Sequence, residues 1–460
     1  MDAFCPVDEQ ISAGVSRDLF AVLDGLPDPR RTGWRRHRLG YVLAVVFTAF
    51  CLPGFASLAG AAQWAADPAR GRRQLLTLGA WPDPLTGRVF PPSEPTIRAI
   101  LSRIDPDALT RACVAWTLAH REPDPVPDTR TDPDTRTDPD TRIDSDDAAG
   151  TRTDASGRGQ QMARELTALA MDGKCARGAR RSTPENVPNA DTAENLTGPG
   201  SGQAPMFFAA VTHDRPMVVA QRQIPTKTSE IRSVATLLAD LQAVGWNLAS
   251  TVITLDALHT VRETASKILS TGAHYLMIVK RNRAELYDRC AQLIATADPD
   301  QLDRHTAISR GHGRTEQRIL TARSLTDTDG IDFPGAAQVL RIVRYTGGPD
   351  GQRTTKQVVY ALTGLTDNRA DAPILSTLVR GHWQIEALHH VRDVTFGEDA
   401  SHARTATLPM TLAVIRNTVI AALRLAGATN IAAARRWIAG ATNRAIALFT
   451  NNAELNITPL

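Results

Sequence analysis

The chain has 460 residues, of which 42% are hydrophobic, 22% charged and 5% aromatic. This length and composition are typical of a soluble globular protein with about two to four domains, and they exclude a small disulfide-stabilised module, a collagen-like chain and a wholly disordered chain. The formal net charge is only +3, but acidic residues concentrate between residues 121 and 160. The rest of the chain is therefore modestly basic, which favours an anionic partner such as nucleic acid.

The five cysteines are scattered and show no CxxC spacing, so neither a disulfide framework nor a zinc ribbon is indicated. The first ten residues are acidic where a secretory signal would be basic. An uncharged stretch at residues 39–66 is interrupted by Pro53 and Gly54, which predicts a buried helical hairpin rather than a membrane helix. We therefore expect a cytoplasmic protein without a membrane partner.

After an N-terminal extension at residues 1–15, apolar residues recur at helical spacing over residues 16–122 and predict an all-α N-terminal domain. The loop between its first two helices holds the densest basic cluster of the chain, formed by Arg30, Arg31, Arg35, Arg36, His37 and Arg38. This cluster is either a solvated loop or a contact to the phosphates of DNA, with Trp34 available for stacking on a base.

A hexamer rich in proline and aspartate repeats over residues 127–144 and has no apolar face. Such a segment cannot offset the entropy of ordering by burial, so residues 123–160 are predicted to form a disordered linker. Beyond the linker, strands alternate with helices, which predicts an α/β domain at residues 161–405 with a β-rich insertion at about residues 305–368. Residues 406–460 are predicted to be C-terminal helices.

Two aspartates stand at the ends of predicted buried strands. Asp172 ends the apolar run LTALAM, and Asp256 ends the run TVITL. A single aspartate at such a place is commonly a turn or cap residue, but the carboxyl ends of strands in one sheet are also where reactive groups collect. Two such residues in one sheet favour a metal site, because a cation offsets the cost of burying carboxylates.

A third group of polar residues lies on a predicted helix near the end of the α/β domain. Its members are His382, Glu386, His389, His390 and Asp393, which helical spacing puts near one face. Two interpretations stay open. His382, Glu386 and His390 form an H-x-x-x-E-x-x-x-H zinc site, or Glu386 completes a magnesium or manganese site with the two strand-end aspartates.

The order of strand and Asp, strand and Asp, long insertion, then helix and Glu resembles the DDE transposases of bacterial insertion sequences. More narrowly, the chain is similar to their ISAs-type, H-repeat-associated group. The segments that resemble this group span almost the whole chain: LPDPRR, RRHRLGYVLAVVFTAF, PPSEPTIRAILSRIDPDAL, MDGKCARG, KTSEI, ITLDALHT, YLMIVKRN, HGRTEQR, FPGAAQVLRIVR, HWQIEALHHVRDVTFGEDASHAR and LAVIRN.

This resemblance implies a ribonuclease-H-like catalytic core with a β-rich insertion, in which Asp172, Asp256 and Glu386 are both the catalytic residues and the metal ligands. It implies two Mg²⁺ or Mn²⁺ ions per active site, and double-stranded DNA as the partner, both as the terminal repeats of the element and as the target. It also implies a homodimer in the DNA complex. DNA contacts are predicted at Arg35, Arg36, His37, Arg38, Lys227, Lys280, Arg314, His382 and Trp383, and supporting roles at His312 and Asp393.

Three other functions share parts of this pattern. A metal-dependent DNA nuclease without strand transfer would use the same carboxylates. An inactive DNA-binding derivative of a transposase would keep the basic N-terminal domain. A zinc hydrolase would use the histidines of the predicted helix.

Overall fold

The structure is a computed structural model that describes residues 18–31, 35–68, 71–121, 166–180, 204–311, 314–348 and 353–450. The predicted extension at residues 1–15 and the predicted linker at residues 123–160 lie outside these residues, as do Trp34 and His312. The predicted domain bounds stay predictions.

The helices in chain order are α1 (Leu19–Asp24), α2 (Leu39–Phe50), α3 (Leu58–Ala66), α4 (Gly71–Thr77), α5 (Glu94–Leu101), α6 (Pro106–Ala119), α7 (Glu230–Ala243), α8 (Arg262–Ser270), α9 (Ala284–Ala295), α10 (Ala372–Gly381), α11 (Gln384–His390), α12 (Leu408–Leu425), α13 (Ile431–Ala439) and α14 (Thr442–Ala447). The strands are β1 (Thr167–Cys175), β2 (Met206–Thr212), β3 (Val218–Ile224), β4 (Thr251–Leu255), β5 (His274–Val279), β6 (Asp303–Gly311), β7 (Arg314–Ser324), β8 (Gln338–Gly347) and β9 (Arg353–Thr363).

The strands pair in one mixed nine-stranded sheet, in the order β3-β2-β1-β4-β5-β9-β8-β7-β6. The neighbours β1, β4 and β5 run parallel. The pairs β2–β3 and β5–β9 and the succession from β6 to β9 are antiparallel. The predicted α/β class with some parallel pairing is therefore confirmed.

Most of β6 falls within the predicted β-rich insertion, although it was not recognised as a separate strand, and α9 was not expected from the sequence. β6 reads DRHTAISRG and buries none of its residues fully, because it is an edge strand with a single neighbour. Its apolar side chains are too few to show the alternation that marks a half-buried strand. α9 follows β5 after only a short turn, and Cys290, Leu293 and Ile294 form its buried face.

The described chain divides into two compact units. Unit 2 contains the described residues within the ranges 123–171 and 247–384. Its core lies where α10 covers the sheet, and the buried members of this core are Val252, Leu276, Leu320, Ala322, Leu340, Ala361, Leu365, Ala370, Ala372, Leu375 and Leu378. Because β-strands alternate their side chains between two faces, Leu320 and Ala322 of β7, which are two residues apart, lie on the face that α10 covers.

Unit 1 contains the described residues within the ranges 1–122, 172–246 and 385–460. All twelve residues of α2 are buried, and α3 follows after a break at Pro53 and Gly54, so the predicted helical hairpin is confirmed. One helix among the described residues, α12, is long and apolar enough to cross a membrane, but 89% of it is buried inside the protein. Burial on this scale is the pattern of a core helix.

The last described helix of unit 1 packs against its first helices. The ring of Phe449 lies 5.6 Å from that of Phe20, 5.8 Å from that of Phe47 and 6.3 Å from that of Trp116, measured between centroids. The backbone N–H of Leu19 also donates to the Phe449 carbonyl at 2.9 Å. These contacts join segments that are more than 300 residues apart in the sequence, so helical periodicity alone does not reveal them.

We expect Phe449→Ala to lower the free energy of unfolding by about 3–5 kcal/mol, because it removes a fully buried ring and leaves a cavity among three aromatic neighbours. Urea denaturation followed by far-UV circular dichroism measures this loss. Ile308→Ala is the control, since Ile308 is 39% exposed on an edge strand and should change stability by less than about 0.5 kcal/mol. Equal losses in the two variants would contradict the packing described here.

Candidate active site

Two aspartates follow the parallel pairing of β1 with β4. The register of this pair runs from Thr167 opposite Thr251 to Met171 opposite Leu255. The next residue of each strand is Asp172 and Asp256, so both acids come at the carboxyl end of the same paired stretch. Asp256 directly follows β4, as predicted. Asp172 lies inside β1 rather than at its end, because β1 continues to Cys175.

The turn after β4 holds Asp256 in a defined orientation. Its Oδ1 atom accepts a hydrogen bond from the backbone N–H of Leu258 at 3.0 Å. The Asn282 side chain donates to the carbonyl of Ala257 at 2.9 Å, and the Thr260 hydroxyl donates to the carbonyl of Ile278 at 2.6 Å. These hydrogen bonds join the turn to the end of β5 and thereby restrain the loop that carries the Asp256 carboxylate.

His382 lies beside Asp256 within unit 2. Its Nδ1 atom is 3.0 Å from the hydroxyl of Thr254, and that hydroxyl donates its single proton to the carbonyl of Leu169 at 3.3 Å. In the tautomer that carries its proton on Nδ1, His382 donates to Thr254 and Nε2 is an acceptor. Burial lowers the pKa of His382, although the negative charge of Asp256 opposes this shift. The imidazole is neutral at pH 7.

In unit 1, α11 and the turn that follows it run along β1. Nδ1 of His389 lies 3.9 Å from Oδ2 of Asp172, and Nζ of Lys174 forms an ion pair with Oδ2 of Asp393 at 2.7 Å. Asp172 and Lys174 are two residues apart on a strand, a distance of about 6.6 Å. Their partners His389 and Asp393 are four residues apart, which is about 6 Å along a helix, so the two contacts have nearly the same separation. Glu386, exposed to solvent, is three residues before His389 and thus one helical turn earlier.

The contact between His389 and Asp172 is not an ion pair. Burial, together with the positive charges of Arg392 and Lys174, lowers the pKa of His389 to about 3. The imidazole is therefore uncharged at neutral pH. Its Nε2 atom is buried without a hydrogen-bond partner, which makes His389 one of the costly polar groups of this region.

A buried carboxylate explains the glycine after Asp172. A Cβ atom added at Gly173 would overlap the carboxylate of Glu230, the first residue of α7, which is only 1% exposed. Glu230 therefore packs against the backbone of β1 next to Asp172. Ser229 directly precedes α7, but its hydroxyl contacts Thr226 and does not cap the helix.

Beyond α11 the chain forms one turn of π-helix, Val391–Thr395, next to a buried charge cluster. Arg392 donates to both oxygens of Glu398 at 2.8 Å, and Arg416 donates to the same carboxylate at 3.2 Å. Burial alone would raise the pKa of Glu398, but the two guanidinium groups lower it to about 2. Arg392 also donates to the Gln221 side chain on β3 at 3.2 Å. π-helical turns are frequent near functional sites.

The predicted helical face that joins His382, Glu386 and His390 is wrong. α10 ends at Gly381 and α11 begins at Gln384, so His382 and Trp383 form a tight turn between two helices. The backbone of His382 is still helical, with its N–H on the Leu378 carbonyl, and its side chain contacts Thr254. A zinc site built on one continuous helix is therefore not present.

No three His, Cys, Asp or Glu side chains gather closely enough to hold a metal ion in the part of the chain that the structure describes. The donor set nonetheless fits a hard cation in its chemistry. Asp172, Asp256 and Glu386 offer carboxylate oxygens, the ligands that Mg²⁺ and Mn²⁺ prefer. They offer no thiolate, and Nδ1 of the nearby His382 is engaged with Thr254.

Outside the N-terminal helices, four of the residues that were predicted to contact DNA are exposed to solvent. Lys227, Lys280 and Arg314 are exposed, and 66% of Trp383 is exposed although a packing role was the more common expectation for a tryptophan at that place. Their roles stay predictions. Asp393 is the partner of Lys174, which gives its predicted supporting role a structural basis.

The basic cluster of the N-terminal helices is only partly available to a ligand. Arg35 pairs with Asp28, and Arg38 pairs with Asp24. His37 is 7% exposed, and burial with Arg36 and Arg30 lowers its pKa to about 4, so it is neutral and covered. The predicted DNA contact by His37 therefore does not fit its position, whereas Arg36 is exposed.

Several residues of the site were not found from the sequence. Lys174 could have been noticed, because it is two residues after Asp172 and so lies on the same face of β1. His259 is fully buried three residues after Asp256, and its charge would oppose that of His382. Thr254 and Glu230 gave no signal, since their contacts come from segments distant in sequence.

Comparison with known proteins identifies the family. Residues 165–416, more than half of the chain, match the family model described as Transposase DDE domain, and residues 20–117 match the model described as DDE_Tnp_1-associated. The chain therefore belongs to the DDE transposase family. The fold with its large mixed sheet and the acids at a parallel strand pair agree with this membership.

Two of the relatives are named as transposases. The chain is 23% identical to YncI of Escherichia coli O157:H7, described as a candidate transposase, over 89% of this chain and 87% of that protein. It is 25% identical to the H repeat-associated candidate transposase YhhI of Escherichia coli K12, over 44% of this chain and 54% of that protein. A solved structure of the piggyBac transposase synaptic complex with hairpin DNA is matched over 63% of this chain and 54% of that chain, with 11% identity and a TM-score of 0.31, which is too low to support a conclusion.

We expect Glu398→Gln to lower the free energy of unfolding by about 3–5 kcal/mol at pH 7, because two buried guanidinium groups lose their counter-charge. In the native protein the pKa of Glu398 is depressed from 4.5 to about 2. Its stabilising contribution is therefore complete above about pH 4.5 and is lost as pH falls toward 2. Urea titrations at pH 3, 4, 5 and 7 measure both effects.

Glu94→Gln is the control for this variant, since Glu94 forms an exposed pair with Arg98 that should contribute less than about 1 kcal/mol. The cluster is misassigned if Glu398→Gln loses no more stability than Glu94→Gln. It is also misassigned if the variant keeps the full acid dependence of the native chain.

Proposed function

We propose that this protein is an active transposase that cuts DNA at the ends of its insertion sequence and joins the freed ends to target DNA. Asp172, Asp256 and Glu386 are the three catalytic carboxylates and hold two Mg²⁺ or Mn²⁺ ions. In this proposal the parallel strands β1, β4 and β5 belong to a ribonuclease-H-like core, and the protein acts on DNA as a homodimer.

The observation that supports this proposal best is the register of β1 with β4. Two acids follow the last register pair, Met171 and Leu255, at the carboxyl end of parallel strands. Reactive groups of open α/β sheets collect at this edge. The matched contacts of β1 with α11 supply a further argument, because they set Glu386 one helical turn before the residue that approaches Asp172.

Divalent ions, when bound, would lower the pKa of the attacking water and stabilise the leaving 3′ oxygen. The protein supplies orientation and proton acceptance around this chemistry. The backbone N–H of Leu258 holds one oxygen of Asp256, which leaves the second oxygen for a ligand. In the tautomer with the proton on Nδ1, Nε2 of the neutral His382 is the acceptor for a proton of the attacking water or hydroxyl.

Lys174 and Asp393 hold the two catalytic elements of unit 1 in register. The ion pair is short, and Lys174 is 7% exposed, so solvent screens it little. Lys174 also lies 3.8 Å from Asp399. A slip of α11 by one residue along β1 would separate these groups and move Glu386 away from Asp172.

We expect Glu386→Gln and Asp256→Asn each to reduce metal-dependent cleavage of DNA with the genomic flanks of the element by at least about 10³-fold, the rate equivalent of about 4 kcal/mol of lost transition-state stabilisation. The assay measures nicked and joined products on gels, with Mg²⁺, Mn²⁺ or a chelator. Glu263→Gln is the control, because Glu263 is an exposed carboxylate on α8 that pairs with Lys267.

Each result of this assay has a definite meaning. Cleavage that survives in both site variants rules out the assigned carboxylates. Cleavage of the native protein without joined products supports the nuclease alternative. Binding without cleavage supports the inactive derivative.

We expect Lys174→Met to reduce cleavage about 10–100-fold and to raise the Mg²⁺ concentration needed for half-maximal cleavage, with binding of the DNA ends unchanged. Fixed-time cleavage over a Mg²⁺ series measures both quantities. Arg222→Met is the matched control, because it removes the more exposed ion pair of Arg222 with Asp240 in the same unit. An equal effect of the two variants would mean that Lys174 contributes only to stability.

A further inference from the structure

Residues 81–90 of unit 1 form a preorganised loop, called here the 81–90 loop. Pro82 and Val89 close it as an isolated antiparallel bridge. The N–H of Asp83 donates to the Arg88 carbonyl at 2.7 Å, and the N–H of Gly87 donates to the Asp83 carbonyl at 2.8 Å. Gly87 has a positive φ of 65°, which favours glycine at this turn.

The side chain of Asp83 fixes the tip of this loop. Its Oδ1 atom accepts hydrogen bonds from the N–H of Leu85 at 3.1 Å, the N–H of Thr86 at 2.8 Å and the Thr86 hydroxyl at 2.8 Å. At the base of the loop, the buried Tyr41 of α2 donates to the Phe90 carbonyl at 3.3 Å. The loop therefore has a defined shape before any ligand binds.

The 81–90 loop presents apolar side chains to solvent. Leu85 at the tip is 94% exposed, and Trp81 at the base is 52% exposed. A single exposed apolar residue needs no explanation. Two of them on one hydrogen-bonded loop, with prolines on either side of Asp83, form a rigid apolar projection that the described part of unit 1 leaves exposed.

Three arginines surround the aromatic residues of this loop. The Arg36 guanidinium lies 4.2 Å from the centre of the Phe90 ring, and that of Arg88 lies 5.8 Å from the same centre. Arg38 lies 6.0 Å from the Trp81 ring and also pairs with Asp24. A guanidinium stacked on a ring keeps its planar N–H edge for an acceptor, and a phosphate fits that edge.

We propose that the 81–90 loop and Arg36 form a DNA-binding element. Arg36 and Arg88 bind phosphates of the backbone, and Leu85 inserts into the groove against the bases. This inference rests on the proposed function, since the DNA is that of the element ends. Arg36 and Arg88 are both exposed, and their charge complements a polyanion, whereas the only acid of the loop, Asp83, is committed to its own tip.

DNA suits this surface better than a second protein or a membrane. The apolar part is narrow and stands between positive charges, which matches an apolar side chain wedged between base steps with arginines on the flanking phosphates. A protein interface of useful size needs a broader apolar patch than one leucine and one tryptophan supply.

The first test is the salt dependence of binding to duplex DNA with the genomic flanks of the element, measured by fluorescence anisotropy without divalent metal. We expect the double variant Arg36→Gln, Arg88→Gln to weaken binding about 10-fold or more. It should also lower the slope of log affinity against log salt by about 2, one for each lost phosphate contact. The matched control is Arg72→Gln, Arg73→Gln, which removes two exposed arginines of α4 and should leave the slope nearly unchanged.

The second test separates the apolar tip from charge. We expect Leu85→Ser to weaken binding about 5-fold without a change of slope, because leucine contacts no phosphate. Leu76→Ser is its control, since Leu76 is an exposed leucine on α4. Sedimentation of both variants reports whether Leu85 affects self-association instead.

The proposal is overturned if the arginine double variant and its control lose the same slope, or if Leu85→Ser changes self-association and not DNA binding. These results leave cleavage by the native protein, and hence the proposed function, untouched. A native chain that neither binds nor cuts the element ends would overturn the proposed function and this inference together.

Discussion

The candidate site depends on the parallel pairing of β1 with β4. Because side chains of a strand alternate between two faces, a slip of one residue would turn Asp172 and Lys174 to the other face of the sheet. Asp172 would then no longer follow the same register pair as Asp256, and Lys174 would lose Asp393. The buried residues Leu169 and Met171 oppose such a slip, since their apolar side chains would move with the rest of the strand.

Buried charges stabilise the C-terminal half of the site, although burying them has a high desolvation free energy. Arg392, Glu398 and Arg416 are almost fully covered, and desolvation of such groups costs several kcal/mol each unless the ion pairs and hydrogen bonds are complete. The carboxylate of Glu398 forms ion pairs with both guanidinium groups, and the side-chain oxygen of Gln221 accepts a further hydrogen bond from Arg392. The segment after α11 is thereby anchored to both β3 and α12, which limits how far α11 can move along β1.

The pattern of basic residues in the sequence does not reveal which arginines are exposed, because tertiary contacts decide this. Arg416 and Arg435 lie on the C-terminal helices α12 and α13, and a charged side chain of an amphipathic helix is commonly exposed to solvent. Both are buried, Arg416 against Glu398 and Arg435 with its N–H groups on the carbonyls of Leu52 and Thr395. A guanidinium has five N–H donors, and backbone carbonyls can accept hydrogen bonds from them. An arginine on a helix can therefore be buried although the sequence pattern predicts that it is exposed.

The sequence by itself determined the helical N-terminal segment, the α/β class, the two strand-associated aspartates and the family, because these follow from local periodicity and from long matching segments. Tertiary structure alone decided which groups meet. The tight turn at His382 and Trp383 replaced the continuous helix that spacing predicted, since His382 reaches Thr254 on β4. The partnership of Lys174 with Asp393 and the packing of Phe449 on the first helices join residues more than 200 positions apart, and no local pattern encodes such contacts.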